Sequence, residues 1–271
     1  MNFKKPLAVI VLLSLTLGHP VLYAAASPPT QHVENLLSPE YGKLVLDDTW
    51  YVLSSPTRWN ERDWIVAGLG VGSALAVGIW ADKPIKEELQ EHSGGANDDV
   101  AKAFEPFGRE YSFAVLGAFE LGGIAFHDDK SRAVAHDGLA SSIIAGAITL
   151  SLQLATGRSR PRESDEPDHF SPFSNRRSFP SGHTTQAFAV ASVIAEHYDS
   201  PLIKIGSYGT ASMVGYARME RNGHWASDVL VGALIGTFVG RTVVHFNKDK
   251  RYELSPIVDG DMIGAKVTHT F

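Results

Sequence analysis

The sequence predicts an all-α helical bundle that ends in a small C-terminal β-hairpin. Three observations carry this reading. Between residues 64 and 246, long apolar stretches rich in Gly and Ala recur, separated by polar loops. Four prolines and many charges fill 157–180, which reads as one long connecting loop. At the tail, Ile263, Ala265, Val267, His269 and Phe271 alternate with Gly264, Lys266, Thr268 and Thr270, the period of a strand.

Composition narrows the field. With 44% hydrophobic and 20% charged residues, the chain is not disordered. Its 271 residues allow one large domain or two small ones, with an ample core. The absence of cysteine excludes disulfides, a thiolate nucleophile and a Cys-ligated metal. A formal net charge of -6 gives no general reason to bind nucleic acid. The mean hydropathy of -0.05 argues against a chain that is mostly embedded in a membrane.

Taken in order, the chain opens with Lys4 and Lys5, an apolar run from Pro6 to Leu17, and small residues at Ala24, Ala25 and Ala26. That is the layout of a secretory signal peptide over 1–26, cleaved after Ala26, and it predicts export, to a bacterial periplasm. Cleavage removes two lysines and no acid, leaving a charge of -8. Residues 27–62 read as an N-terminal extension with one or two short helices, anchored by Leu44, Val45, Leu46, Trp50, Tyr51 and Trp59. The helical domain is expected over 63–248. It begins with the apolar stretch Trp64–Trp80, continues with helices over 83–91, 99–106, 110–126 and 130–156, and resumes after the loop with 181–197, 201–218 and 224–246. The tail, 249–271, turns at Asp259-Gly260 to form the hairpin.

Trp64–Trp80 and Leu139–Gly157 approach the length of a membrane span. Small residues dominate them, however, and Glu120, Lys204 and Asp228 interrupt other helices. They read as a bundle in which small residues let helices approach closely, with partial insertion into, or contact with, a membrane surface as the alternative.

Three segments carry chemistry. Arg158 and Arg160 follow a helix end and offer guanidinium forks that match phosphate oxygens. Pro180-Ser181-Gly182-His183 opens the next helix. There, free backbone N–H groups, the Ser181 hydroxyl and close access over Gly182 form an anion cradle with an imidazole at its edge. His224 and Asp228, four residues apart on one helical face and preceded by Arg218, suit a carboxylate that accepts Nδ1–H and leaves Nε2 free as a nucleophile. Each segment alone has a plainer reading: a basic loop, a serine N-cap, a surface ion pair.

Together and in this order they resemble the type 2 phosphatidic acid phosphatase and vanadium haloperoxidase superfamily. Its signature runs Lys-x6-Arg-Pro, Pro-Ser-Gly-His, Ser-Arg-x5-His-x3-Asp. Arg160-Pro161 fits the first part, residues 180–183 the whole of the second, and Arg218, His224 and Asp228 the third at full spacing. Pro-Ser-Gly-His arises by chance in a chain of this length on the order of once in several hundred. Two positions depart: Gln153 stands where the signature has Lys, and Ala217 where it has Ser.

The resemblance implies a helical bundle of that superfamily's type. It also implies an exported phosphatase of phosphate monoesters or pyrophosphates, with a lipid phosphate favoured over a soluble ester. It assigns His224 as the nucleophile that forms a phosphohistidine, Asp228 as its orienter, and His183 as the acid and then base. Arg160, Arg218, Ser181, Gly182 and, more weakly, Gln153 would hold the phosphoryl oxygens, with Arg158 in support. No metal or other cofactor is called for. The alternatives are a soluble periplasmic acid phosphatase, a vanadate-dependent haloperoxidase, and a non-catalytic envelope protein.

Overall fold

The computed structural model describes residues 36–250 together with the backbone of 252–259 and 262–269; the expected signal peptide lies outside the described residues. The helices are α1 (Pro39–Leu53), α2 (Glu61–Trp80), α3 (Asp82–Glu91), α4 (Ala96–Phe104), α5 (Glu110–Phe126), α6 (Asp129–Thr156), α7 (Gly182–His197), α8 (Pro201–Glu220) and α9 (Ala226–Lys250). Short 3-10 turns at Ser55–Arg58 and Glu105–Gly108 link α1 to α2 and α4 to α5. The helices alone carry the all-α fold class. Beyond them, Tyr252–Asp259 and Met262–His269 run antiparallel, paired from Tyr252↔His269 to Asp259↔Met262.

Local chemistry sets the helix ends. Asn60 and Asp63 form a reciprocal capping box at the start of α2. Gly157 closes α6 in the left-handed conformation (φ 56°), its N–H bonded to the Gln153 carbonyl. Pro201 opens α8 at its first position.

The core is the α6–α7–α9 stack. Val239 and Val243 of α9 meet Ile144 and Ala145 of α6 and Ala189 of α7, and Val52 of α1 closes this cluster. The approach of α9 to α7 is set by Gly232, Gly236 and Gly240, one residue per turn along one stripe. A Cβ at Gly232 would lie 2.7 Å from the Ser181 carbonyl oxygen, and one at Gly240 would lie 2.6 Å from that of Ala189. Small residues thus bring two backbones into direct contact. The same contact fixes the N-terminus of α7 against the N-terminus of α9, where Ser181 N–H donates to the Asp228 carbonyl at 3.0 Å.

The membrane reading needs correction. Three helices, Glu61–Trp80, Asp129–Thr156 and the Ala226–Lys248 part of α9, are long and apolar enough to cross a bilayer. No residue of α2 is buried, and Trp64, Ile65, Leu69, Val71, Leu75, Ile79 and Trp80 all face outward. Outward apolar side chains on α5, α6 and α8 continue the belt, among them Leu121, Ile143, Leu150 and Leu202. Outward apolar side chains in this number suit a membrane protein rather than the outside of a soluble bundle. Trp64 and Trp80 stand 16 residues apart, about 24 Å along the helix axis, and suit the two interfaces of a hydrocarbon layer. The mean hydropathy concealed this because polar loops and termini dilute the spans.

Candidate active site

The site ends of the apolar helices lie together. The C-termini of α2 and α6 and the N-termini of α7 and α9 meet at one end of the bundle. The 157–181 loop covers them and is pinned from within. Trp225 is buried, and its Nε1–H donates to the Ser159 carbonyl at 2.9 Å. Ser178 N–H bonds the Arg158 carbonyl at 3.1 Å, and Arg176 reaches Ser159 Oγ at 2.7 Å.

His224 sits at the bottom, 3% exposed. Its Nδ1 lies 2.7 Å from the Ser178 carbonyl oxygen. A carbonyl only accepts, so Nδ1 carries the proton and Nε2 keeps its lone pair. This corrects the expected partner. Asp228 Oδ2 stands 3.8 Å from Nδ1, an ion-pair distance and too long for the hydrogen bond. Its oxygens are committed elsewhere: Oδ2 accepts from Trp225 N–H at 2.9 Å and from Ser178 Oγ at 2.5 Å, and Oδ1 accepts from Arg158 at 2.5 Å. The bond from Trp225 is also half of a capping box for α9. Asp228 therefore acts on His224 through charge and through Ser178, which it holds in place. Burial lowers the His224 pKa below its ordinary value, keeping the imidazole neutral.

Arg158 is not part of a phosphate cradle. Its Nη1 bonds Ser227 Oγ at 2.8 Å and Asp228 Oδ1, its Nη2 bonds Asp82 Oδ2 at 2.7 Å, and its Nε bonds the Pro167 carbonyl at 2.8 Å. Asp82, which the sequence reading passed over, also accepts from the Ser227 N–H (2.8 Å) and hydroxyl (2.6 Å) and is fully buried. Burial raises its pKa, against the pull of Ser227 and Arg158. Asp82–Arg158–Asp228 is thus a buried ion triad beneath His224. No motif announces Asp82, because its partner lies 76 residues away.

The remaining residues fall around His224. Arg160 is half-buried with no side-chain hydrogen bond among the described residues, and its charge bears on both His224 and His183. Arg218 also bears on His224, but its Nη1 is bonded to Glu105, whose other oxygen takes Arg221 Nε at 3.1 Å. Glu105, another residue unread in the sequence, occupies a guanidinium that a phosphate would need. Ser181 is the N-cap of α7, and its Oγ accepts from Thr184 Oγ1 at 2.9 Å, which leaves its own O–H free to donate. Gly182 starts the helix beside it.

Gln153 departs from its expected role. Its Nε2 donates to the Pro180 carbonyl at 2.9 Å, so it holds the Pro-Ser-Gly-His turn from behind. Gln153→Ala is expected to lower kcat/KM about fivefold, the worth of one ordinary hydrogen bond of about 1 kcal/mol. Steady-state phosphate release measures this.

His183 lies at the rim. Burial above all, with His224 and Arg109 adding positive charge, pushes its pKa down to about 4. A cavity of about 450 Å³ opens on it from the side of α5. Among the described residues, no cluster of three or more His, Cys, Asp or Glu side chains is placed to hold a metal.

A buried histidine with an oriented lone pair, two arginines and a helix N-terminus recur in sequence order with the Pro-Ser-Gly-His turn. Residues 137–252 match the model of the PAP2 superfamily. A 65-residue stretch, 23% of this chain, is 48% identical to the lipid A 1-phosphatase of Porphyromonas gingivalis and spans 15% of that protein's length. Two crystal structures resemble the fold. One is a transmembrane PAP2-type phosphatidylglycerolphosphate phosphatase from Bacillus subtilis, 18% identical, with a TM-score of 0.52 over 77% of this chain and 96% of the other. The other is LpxE from Aquifex aeolicus, 23% identical, with a TM-score of 0.47 over 60% of this chain and 93% of the other.

Proposed function

We propose that this chain is a membrane-embedded phosphatase of lipid phosphates that works through a phosphohistidine on His224. The observation that carries the reading is the His224 Nδ1–Ser178 carbonyl bond, which sets the tautomer and leaves Nε2 as the nucleophile facing the arginines. In the first step, the Nε2 lone pair forms the bond to phosphorus as the phosphorus–oxygen bond to the leaving group breaks. That oxygen takes a proton from His183. In the second step, water attacks phosphorus and gives its proton to His183. The nitrogen–phosphorus bond breaks, and phosphate and neutral His224 are released. Arg160, Arg218, the Ser181 hydroxyl and the Gly182 N–H stabilise the equatorial oxygens as charge develops.

A lipid substrate is supported by position: the site lies at the ends of helices whose outer faces suit hydrocarbon, so a lipid phosphate reaches it without leaving the bilayer boundary. Export after Ala26, with the site facing the periplasm, is the matching topology. The C-terminal hairpin is read as an appendage to the helical fold and takes no part in the chemistry. The full chain in detergent micelles is expected to release phosphate from phosphatidic acid or phosphatidylglycerol phosphate with higher kcat/KM than from p-nitrophenyl phosphate. A preference for the soluble ester would overturn the lipid assignment. A non-catalytic binding protein is the second reading, favoured by the occupation of Arg218 by Glu105; phosphate release lost in His224→Ala would eliminate it.

The pH dependence follows from the two histidines. With His183 pushed down to about 4, the empty site is neutral there at pH 7, so the proton for the leaving group arrives with a singly charged phosphate. The second ionisation of a phosphate ester lies near pH 6. The lowered pKa of His224 keeps it neutral well below its ordinary value, which moves the acid limb down. Thus kcat/KM is expected to be highest below about pH 6 and to fall about tenfold per unit above about pH 7. A profile that rises steadily above neutrality would contradict the assigned roles.

A further inference from the structure

In-line displacement places the leaving group opposite His224 Nε2, on the His183 side. The cavity of about 450 Å³ lies there, and Arg109, Glu110, Phe113 and Gln186 join Gly182 and His183 in its wall. The turn Glu105–Gly108 brings that wall close. A Cβ at Gly108 would stand 2.7 Å from His183 Cβ and 2.8 Å from its carbonyl oxygen, so only glycine lets this turn rest on the histidine. The two ends of the turn address the two halves of the site. Glu105 bonds Arg218, where the transferred phosphoryl would be held, and Arg109 follows Gly108 on the side of the general acid. Among the described residues, Arg109 has no strong competing partner: its ion pair with Glu110 at 3.4 Å joins two exposed side chains and is worth little. Phe113, exposed on the same wall, offers an apolar face to a lipid stem.

We propose that this cavity is the leaving-group subsite and that Arg109 pairs an anionic group carried by the departing half of the substrate. It would thereby select phosphates whose leaving group is itself charged over those with a neutral one. The proposal rests on the phosphatase reading above and names the substrate class within it. The anion has two sources: the second phosphate of a pyrophosphate, or a phosphodiester elsewhere on a phosphorylated lipid.

The test compares phosphate release by the full chain in micelles from three lipids. The leaving group is a phosphorylated alcohol in a polyprenyl pyrophosphate, a phosphodiester-bearing alcohol in phosphatidylglycerol phosphate, and neutral diacylglycerol in phosphatidic acid. The readout is the ratio of kcat/KM for each charged leaving group to that for the neutral one. Arg109→Gln is expected to lower at least one ratio about tenfold or more, the effect of losing a charged hydrogen bond. Arg109→Lys, which keeps the charge, is expected to restore most of it. A fall confined to the pyrophosphate identifies the second phosphate as the anion, and one confined to phosphatidylglycerol phosphate identifies the diester. Both ratios staying within about twofold of the wild-type values in Arg109→Gln overturns the proposal while leaving the phosphatase reading intact. Failure of that reading shows separately, as no release from any of the three lipids or as undiminished release in His224→Ala, and it removes the subsite as well.

Discussion

Replacing His224 by alanine is expected to lower phosphate release by about ten-thousand-fold or more, with the protein still folded. The magnitude is that of removing a nucleophile whose loss leaves only binding and electrostatic stabilisation. The variant leaves the Ser178 carbonyl without its donor, at a cost of roughly 1–3 kcal/mol in stability. A second variant separates the two effects. His224→Asn keeps an N–H within reach of that carbonyl but has no basic nitrogen, so it should be as inactive as alanine and closer to wild type in thermal stability. Quenching the wild-type enzyme in alkaline detergent, where a nitrogen–phosphorus bond survives, after mixing with lipid radiolabelled in its phosphate should trap label on the protein, and neither variant should trap it. Turnover by either variant at more than about a hundredth of the wild-type rate would remove His224 from the nucleophile's role.

Arg158→Met is the second large effect, and it acts on stability before chemistry. The guanidinium is 4% exposed, while Asp82 and Asp228 are fully buried on either side of it. Taking the cation away leaves two carboxylates in a water-poor site with no compensating charge, a change that costs about 3–5 kcal/mol when one partner of a buried pair is lost. In a domain of this size that lowers the unfolding temperature by on the order of 10 °C. Activity should fall as well, since Asp228 fixes Ser178, and Ser178 fixes the His224 tautomer. Adding Asp82→Asn to Arg158→Met removes one of the stranded charges and should recover part of the stability. If the double variant were less stable than the single one, the triad would not be the source of the loss. Thermal unfolding in micelles reads both.

The letters of the site were legible and several of its partnerships were not. Pro180-Ser181-Gly182-His183 and the spacing of Arg218, His224 and Asp228 match the chemistry proposed for the site, because a nucleophile, an acid and anion ligands each need a particular residue type. The Ser178 carbonyl, which orients His224, belongs to the backbone and leaves no mark in composition. Arg158 looked like a phosphate ligand because a guanidinium in a basic loop suits either a phosphate or a carboxylate, and only the fold brings Asp82 to it. Gln153 occupies the signature lysine's position but turns to Pro180, a choice of direction that spacing does not encode. The helices from 110 to 220 were placed within one or two residues, since long periodic runs between prolines and glycines leave little latitude. The lipid-facing character of α2 was missed for a different reason: Gly and Ala suit close packing and membrane spans alike, and only the absence of buried side chains distinguishes the two.

The exposed α2 has a further consequence. It runs directly into Asp82, whose carboxylate clamps Arg158 and, through it, Asp228. No residue of α2 is fully buried, yet Val77 packs on the Met219, Ala226 and Val229 cluster, so the surrounding hydrocarbon and the bundle together set its depth and tilt. Bilayer thickness thus becomes an input to the catalytic machinery. A layer too thin or too thick for the span between Trp64 and Trp80 pulls, through Ala81, on the buried Asp82 carboxylate that holds Arg158. Turnover should pass through a maximum as acyl chain length is varied in reconstituted vesicles, and Asp82→Asn should flatten it.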